Sequence, residues 1–251
     1  MQDFDRAQKY KRPPITEAVI GVVFASDVRS NDLEKLQKKF NKNYPNHQPL
    51  RQLNLHIEVT SLNSAPQNSL DEKIGHRRSN GDQTELIIIQ ENSFTVSQLA
   101  PYVGWDAFWR RFERDWELLK RSSGFRQIKQ VGVRYINRID IPFESGRIEL
   151  KKYLKVSPEM PNSFGPIAAY SVSAQVNMND LKSTLRVNSA AVPSPLPNYA
   201  SFLLDLDLIR AEDIPQSDTD LMQLLEAMRK RKNEFFEAAI TDETRRLFNH
   251  E

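Results

Sequence analysis

Two aspartates and two arginines stand at spacings that could do chemistry. Asp205 and Asp207 lie two apart in "DLDL", and Arg134 and Arg138 four apart in "VGVRYINRI". Side chains alternate along a strand, so each pair would share one face. Two carboxylates on one face can hold a divalent cation or act as acid and base. The polar side of an alternating strand accounts for them more simply. A third group is Glu17, inside the apolar run of "KRPPITEAVIGVVF", on the strand face of Ile15, Val19 and Val23. An unpaired buried carboxylate is very costly, so Glu17 calls for a cationic partner. The expected structural ion pair joins Glu17 to Arg134 or, second, to Arg138. The alternative use of these arginines is to bind a ligand.

Further cations come in clusters. Arg77 and Arg78 follow His76 close to an Asn80-Gly81 turn, and Arg229, Lys230, Arg231 and Lys232 form "RKRK". These six are candidates for contacts with phosphate or with an acidic partner; the competing reading is a solvated surface. The segments "KKFNK" (38–42) and "RR" (110–111) admit the same two readings. His47, His56, His76 and His250 are isolated in sequence and no HExxH occurs, so a zinc site is not expected. His56 is read as a solvent-facing residue of a half-exposed strand over 52–62. No GxGxxG, P-loop or GxSxG motif is present, and glycine is scarce at 8 residues. The reading therefore assigns no catalytic, cofactor-binding or metal residue, and no cofactor.

Composition narrows the classes further. The 251 residues suffice for one large domain or two small ones with a real core. The chain has no cysteine, which excludes disulfides and thiolate chemistry. Net charge is +2 with 27% charged residues, without the global basic excess of many nucleic-acid binders. No apolar run nears the roughly 18 residues of a membrane helix. The polar "MQDFDRAQKYKRPP" resembles no secretory signal, so a cytoplasmic protein is expected.

The elements that must position these groups are legible as periodicities. Pro13 and Pro14 block helix, and β-branched residues then predict a strand over 15–24. Leu33, Leu36 and Phe40 predict a helix that ends by Pro45, and residues 63–71 read as a loop. "ELIIIQ" and "SFTVSQL", joined by Glu91-Asn92, predict a hairpin. Trp105, Phe108, Trp109, Phe112, Trp116 and Leu119 form a helical stripe that belongs in a core. The order then recurs: a strand over 130–142, a short helix in "RIELKKYLKV", three strands, and a C-terminal helical stretch over 219–248, one helix or two. Leu33 to Phe108 spans 75 residues (108 − 33), as does Leu150 to Leu225 (225 − 150). The expectation is an α+β fold of two β-α-β(3–4)-α halves, 1–124 and 125–251, in one compact pseudo-symmetric unit. They would share a curved antiparallel sheet with helices on one face, as in TATA-box-binding-protein-like and helix-grip-like folds.

Nearly the whole chain resembles a family of sporadically distributed bacterial proteins of similar length and no established activity. The resemblance rests on Pro13, Pro14, Ile15, Glu17 and Ala18, on Gly132, Arg134, Tyr135, Ile136 and Asn137, and on "FFEAAITDE" at 235–243. Members often carry a histidine ahead of that last segment; Arg229 stands here, so no role is carried over for it. The patchy distribution implies an accessory gene of defence or toxin–antitoxin type. The functional expectation is a non-enzymatic binding or assembly protein that holds a protein partner, the product of a neighbouring gene, with a homodimer also open. A nucleic-acid-binding regulator is the alternative and a metal-dependent hydrolase at Asp205 and Asp207 the weakest reading. No membrane partner is expected.

Overall fold

The computed structural model describes residues 10–55, 69–143, 148–159, 161, 167 and 169–249, with the side chains of 52–55 and 69–73 excepted. Among the described residues nine strands form one antiparallel sheet: β1 (Ile15–Phe24), β2 (Asn46–Leu55), β3 (Ser69–Ser79), β4 (Glu85–Gln90), β5 (Ser93–Leu99), β6 (Ile128–Pro142), β7 (Ser171–Met178), β8 (Ser183–Val192) and β9 (Tyr199–Arg210). The helices are α1 (Ser30–Lys38), α2 (Trp105–Ser123), α3 (Asp218–Ala239) and α4 (Asp242–Asn249). The class is mixed α+β.

Across the sheet the strands run β2-β3-β4-β5-β1-β6-β9-β8-β7. The opening strands of the two chain halves, β1 and β6, pair at the centre in one antiparallel ladder. Outward from that seam each half places its last strand next and then steps back through the chain to an edge. The expected short helix around residue 150 is only a 3-10 turn, Leu150–Lys152. The expected loop over 63–71 gives way at Ser69 to β3, and Pro49 lies within β2 rather than in a connection. Residues 56–68 and His250, and with them His56, lie outside the described residues.

Strand alternation sorts side chains onto two unlike faces. Ala18, Ile20 and Val22 of β1, Val131, Val133, Ile139 and Ile141 of β6, and Leu204, Leu206 and Leu208 of β9 are buried beneath the helices. The aromatic stripe of α2 packs there: Phe108 and Phe112 are fully buried, Trp116 stacks on Phe24 at 6.2 Å, and Trp105 and Trp109 are half-buried against the core. Ser217 caps α3 by accepting a hydrogen bond from the Asp220 amide at 3.2 Å, and Asp218 and Asp220 complement the positive end of the helix. Gly75 of β3 is required by close approach, since a Cβ there would lie 2.6 Å from the Ile89 carbonyl oxygen.

Polar groups also lock the helix layer to the sheet. Tyr44 donates to the Asp115 carboxylate of α2, and Arg111 and Arg114 donate to the Tyr44 hydroxyl at 3.1 and 3.0 Å. Arg111 reaches on to the Ser97 carbonyl of β5 at 2.7 Å. Burial pushes the Asp115 carboxyl and the Tyr44 hydroxyl above their ordinary pKa ranges. Arg78 donates from the sheet to the Tyr44 carbonyl at 2.8 Å and to Gln37 at 2.5 Å.

Phe112→Ala should destabilise the protein by about 3–5 kcal/mol, since the removed ring is wholly buried between aromatic neighbours. Equilibrium denaturation measures this; a loss under 1 kcal/mol would mean that the stripe does not close the core.

Candidate functional site

No described helix covers the second face of the sheet. Three rows of side chains cross its centre, each fixed by strand register. In the first, Thr95 of β5, Gly21 of β1, Gly132 of β6 and Ile209 of β9 lie side by side. The next holds Val19, Arg134, Asp207, Arg186 of β8 and Gln175 of β7. The third holds Glu17, Ile136, Asp205 and Asn188. Val19, Val23, Ile88, Ile136, Leu203 and Ile209 are half-buried apolar residues of this face and are not part of the core.

The arginines find their partners on this face, and Glu17 is not among them. Arg134 grips Asp205 with two parallel hydrogen bonds, Nε to Oδ1 at 2.8 Å and a terminal nitrogen to Oδ2 at 2.7 Å. Asn188 adds a longer contact of 3.4 Å to Oδ2. Arg138 pairs with Asp140 at 3.0 Å, and Ser201 donates to Asp140 at 2.5 Å. The expectation of a Glu17–Arg134 or Glu17–Arg138 pair is corrected on two physical grounds. The neighbouring strand β9 presents Asp205 diagonally opposite Arg134, where a planar fork closes on it. Glu17, in turn, is only half-buried, so it has no need of an enclosed partner. It acts on Arg134 through longer-range attraction and, among the described residues, makes no ion pair.

Asp207 and Arg186 are left open. Asp207 lies in register between Arg134 and Arg186 but, among the described residues, accepts no hydrogen bond and makes no ion pair. Its carboxyl is held above the usual range, chiefly by burial and against the pull of Arg134. Arg186 is exposed and likewise without an ion pair among the described residues. Formal charge on this face balances: Arg77, Arg134, Arg138 and Arg186 against Glu17, Asp140, Asp205 and Asp207, 4 − 4 = 0 among the described residues.

Gly21 and Gly132 face each other at the centre of this surface. A Cβ on Gly21 would meet nothing nearer than the Thr95 hydroxyl at 3.8 Å, and one on Gly132 nothing nearer than the Leu208 carbonyl at 3.6 Å. Internal packing therefore does not demand glycine at either position. No register break falls there; those of β1 lie at Ile15/Glu17 and Val23/Phe24. Glycine in a strand interior weakens it and often marks a place where another backbone comes close. The pair leaves a strip of bare main chain beside Asp207.

The basic clusters dissolve as surfaces. Arg78 is buried in the polar lock, whereas Arg77 lies on the uncovered face and donates to Gln48 at 2.8 Å. Arg229 is held by Glu226 and lies over the Trp105 ring at 5.0 Å. Arg231 pairs with Glu234 at 2.7 Å and approaches Asp180 at 3.4 Å. Of "RKRK", Lys230 alone is exposed. Lys232 is buried, its Nζ 3.3 Å from the centre of the Tyr135 ring, because its position on α3 faces the sheet. Burial, then the nearby Arg229, drives the Lys232 amine well below its ordinary pKa. Tyr135 meets the Tyr102 hydroxyl at 3.0 Å, and burial pushes Tyr102 up to about 12. The run of basic letters concealed this burial; the i, i+4 spacing of Met228, Lys232 and Phe236 is the signal that could have revealed it.

His47 and His76 meet across β2 and β3 with ring nitrogens 2.8 Å apart. Among the described residues no three His, Asp or Glu side chains are grouped to hold a metal. No described helix is long and apolar enough to cross a membrane. No family model and no curated protein matches the chain.

Two measurements check this geometry. Asp205→Asn should cost about 1.5–3 kcal/mol by loosening the Arg134 fork, and Arg134→Met/Asp205→Leu should recover most of the loss suffered by Arg134→Met alone. A double-mutant cycle with no coupling would remove the pair as a structural element. Lys232→Met tests the buried amine. Its lowered folded pKa means that the unfolded chain binds more protons in the interval up to about 10.4. Stability of the wild type then rises with pH across that interval, and the advantage of Lys232→Met over wild type should shrink as pH approaches 10. A pH-independent difference would show that Lys232 is charged in the folded state.

Proposed function

We propose that the protein is a non-enzymatic binding component that holds a protein partner on the uncovered face of its sheet. The glycine strip carries this reading. Gly21 and Gly132 lie at the centre of the face, where alanine would fit, and each glycine in a strand interior costs about 0.5–1 kcal/mol relative to alanine. A partner main chain crossing that strip is the physical use for the missing side chains. Asp207 and Arg186 beside it supply one open acceptor and one open donor. The half-buried valines, isoleucines and leucine around them supply apolar contact.

The balance of charge on this face favours protein over nucleic acid. Phosphate binding draws on an excess of cations, and the four arginines here are matched by four carboxylates. A metal-dependent hydrolase at Asp205 and Asp207 gains no support either, since Asp205 is engaged by Arg134. The mirrored strand orders about the β1–β6 seam support reading the chain as a duplicated saddle of TATA-box-binding-protein-like form. Together with the resemblance to the sporadic bacterial family, it favours reading the protein as a component of an accessory cassette of defence or toxin–antitoxin type. Its partner would be the neighbouring gene product and its setting the cytoplasm.

Co-expression with the neighbouring gene product tests the proposal. The complex should co-purify, and Gly21→Val/Gly132→Val should abolish it while melting temperature and circular dichroism stay native. Asp207→Asn adds a signed expectation. A carboxyl whose folded pKa is raised loses stability as pH climbs from its unfolded value through the folded one. The variant should therefore be at least as stable as wild type at pH 7, lose that advantage near pH 3, and bind the partner more weakly. Unchanged co-purification by the glycine double variant would sink the reading. Salt-dependent binding of nucleic acid without any protein partner would replace it.

A further inference from the structure

The two edges of the sheet are built differently. Edge strand β2 carries Pro49, which cannot donate a hydrogen bond, and a register break between Leu50 and Arg51. Proline, charge and irregularity are the usual means of keeping an edge from pairing with another chain. The opposite edge, β7, has none of them. Its sequence SVSAQVNM contains no charge and no proline, and its register with β8 is unbroken from Ser171 to Met178. Ser171, Ser173, Ala174, Gln175, Val176 and Asn177 are exposed, which leaves both faces of the strand open. Among the described residues nothing pairs with its outer side.

We propose that β7 is a dimerisation edge, where it pairs antiparallel with β7 of a second copy about a two-fold axis through Ala174. The sequence is self-complementary in that register. On the helix side of the sheet Ala174 meets its own copy, flanked by Val172 opposite the partner's Val176 on each side. On the other side Ser173 faces the partner's Gln175, and Ser171 the partner's Asn177. No like charges meet, and each valine that one copy leaves exposed is covered by a valine of the other. The blunted β2 edge cannot take β7 in a head-to-tail arrangement, so pairing closes at two copies instead of growing into a filament. The assembly is an eighteen-stranded sheet, twice the nine strands of one chain, with both uncovered faces on the same side. This surface is separate from the glycine strip, and the proposal stands independently of partner binding there.

Sedimentation of the full chain reads the outcome. Wild type should have twice the 29.1 kDa chain mass. Ala174→Lys and Ala174→Glu should each be monomeric with unchanged circular dichroism. Because residue 174 lies on the axis, mixing the two should restore the dimer mass. The chain has no cysteine, so single-cysteine variants give a second readout that survives any folding defect of the charged ones. Facing residues of an antiparallel pair have Cα atoms about 4.5–5.5 Å apart, within disulfide reach. Ala174→Cys should therefore cross-link on mild oxidation and Asn177→Cys should not. A monomeric wild type at every concentration, a dimeric Ala174→Lys, or equal cross-linking of both cysteine variants would overturn the proposal.

Discussion

The ladder between β1 and β6 is the constraint on which the rest of the structure depends. Among the described residues it is the only place where strands from the two chain halves pair, and it joins five described strands on one side to four on the other. Its helix-side residues, Ala18, Ile20 and Val22 against Val131, Val133 and Tyr135, are almost wholly buried, so register is strongly specified. A slip by one residue would turn Glu17 and Arg134 into the core and Ile20 and Val133 out of it. The same register sets Gly21 against Gly132 and delivers Arg134 to β9. Hydrophobic sorting on one face thus positions the polar groups on the other.

The helix side is not uniformly apolar, and its polar groups have distinct roles. Tyr44, Arg111, Arg114 and Asp115 are linked in one network that ties α2 to β5 and to the chain after α1, with Arg78 bonded to the same Tyr44. Removing one member would strand another without water, which is why such a network holds the helix layer in a single position. Lys232 differs: its amine lies over a ring and has no hydrogen-bond partner among the described residues. It exacts stability at neutral pH, whereas the network around Tyr44 secures it.

Much of this was legible in the sequence, and the failures have a common cause. Periodicity located the α2 stripe, the β4–β5 hairpin and the central strands, because burial on one face imposes a period that single residues cannot hide. Pairing across strands was another matter. Glu17 and Arg134 were sorted correctly onto strands, but the choice between Glu17 and Asp205 as partner depends on which strand lies beyond β6. That order is a property of the whole chain. Arg78 and Lys232 were hidden by their neighbours in "HRR" and "RKRK". A basic run reads as surface until the helix or strand beneath it divides the run between two faces.

The uncovered face and the free edge share one logic. A sheet whose second face no described helix covers must either solvate that side or reserve it. Full solvation would put charged or hydroxylated side chains at every outward position, and this face departs from that at its centre. There two glycines expose main chain, apolar residues such as Val19, Ile136 and Ile209 stay half-buried outside the core, and Asp207 has no direct partner among the described residues although Arg134 is one strand away. Arg134 turns to Asp205 instead, because the diagonal carboxylate accepts both of its parallel hydrogen bonds. The fork therefore stiffens the centre of the face while leaving its open acceptor free. Stability is forgone at the glycines and at Asp207 in the same small area, and that coincidence is what distinguishes a reserved surface from a merely polar one.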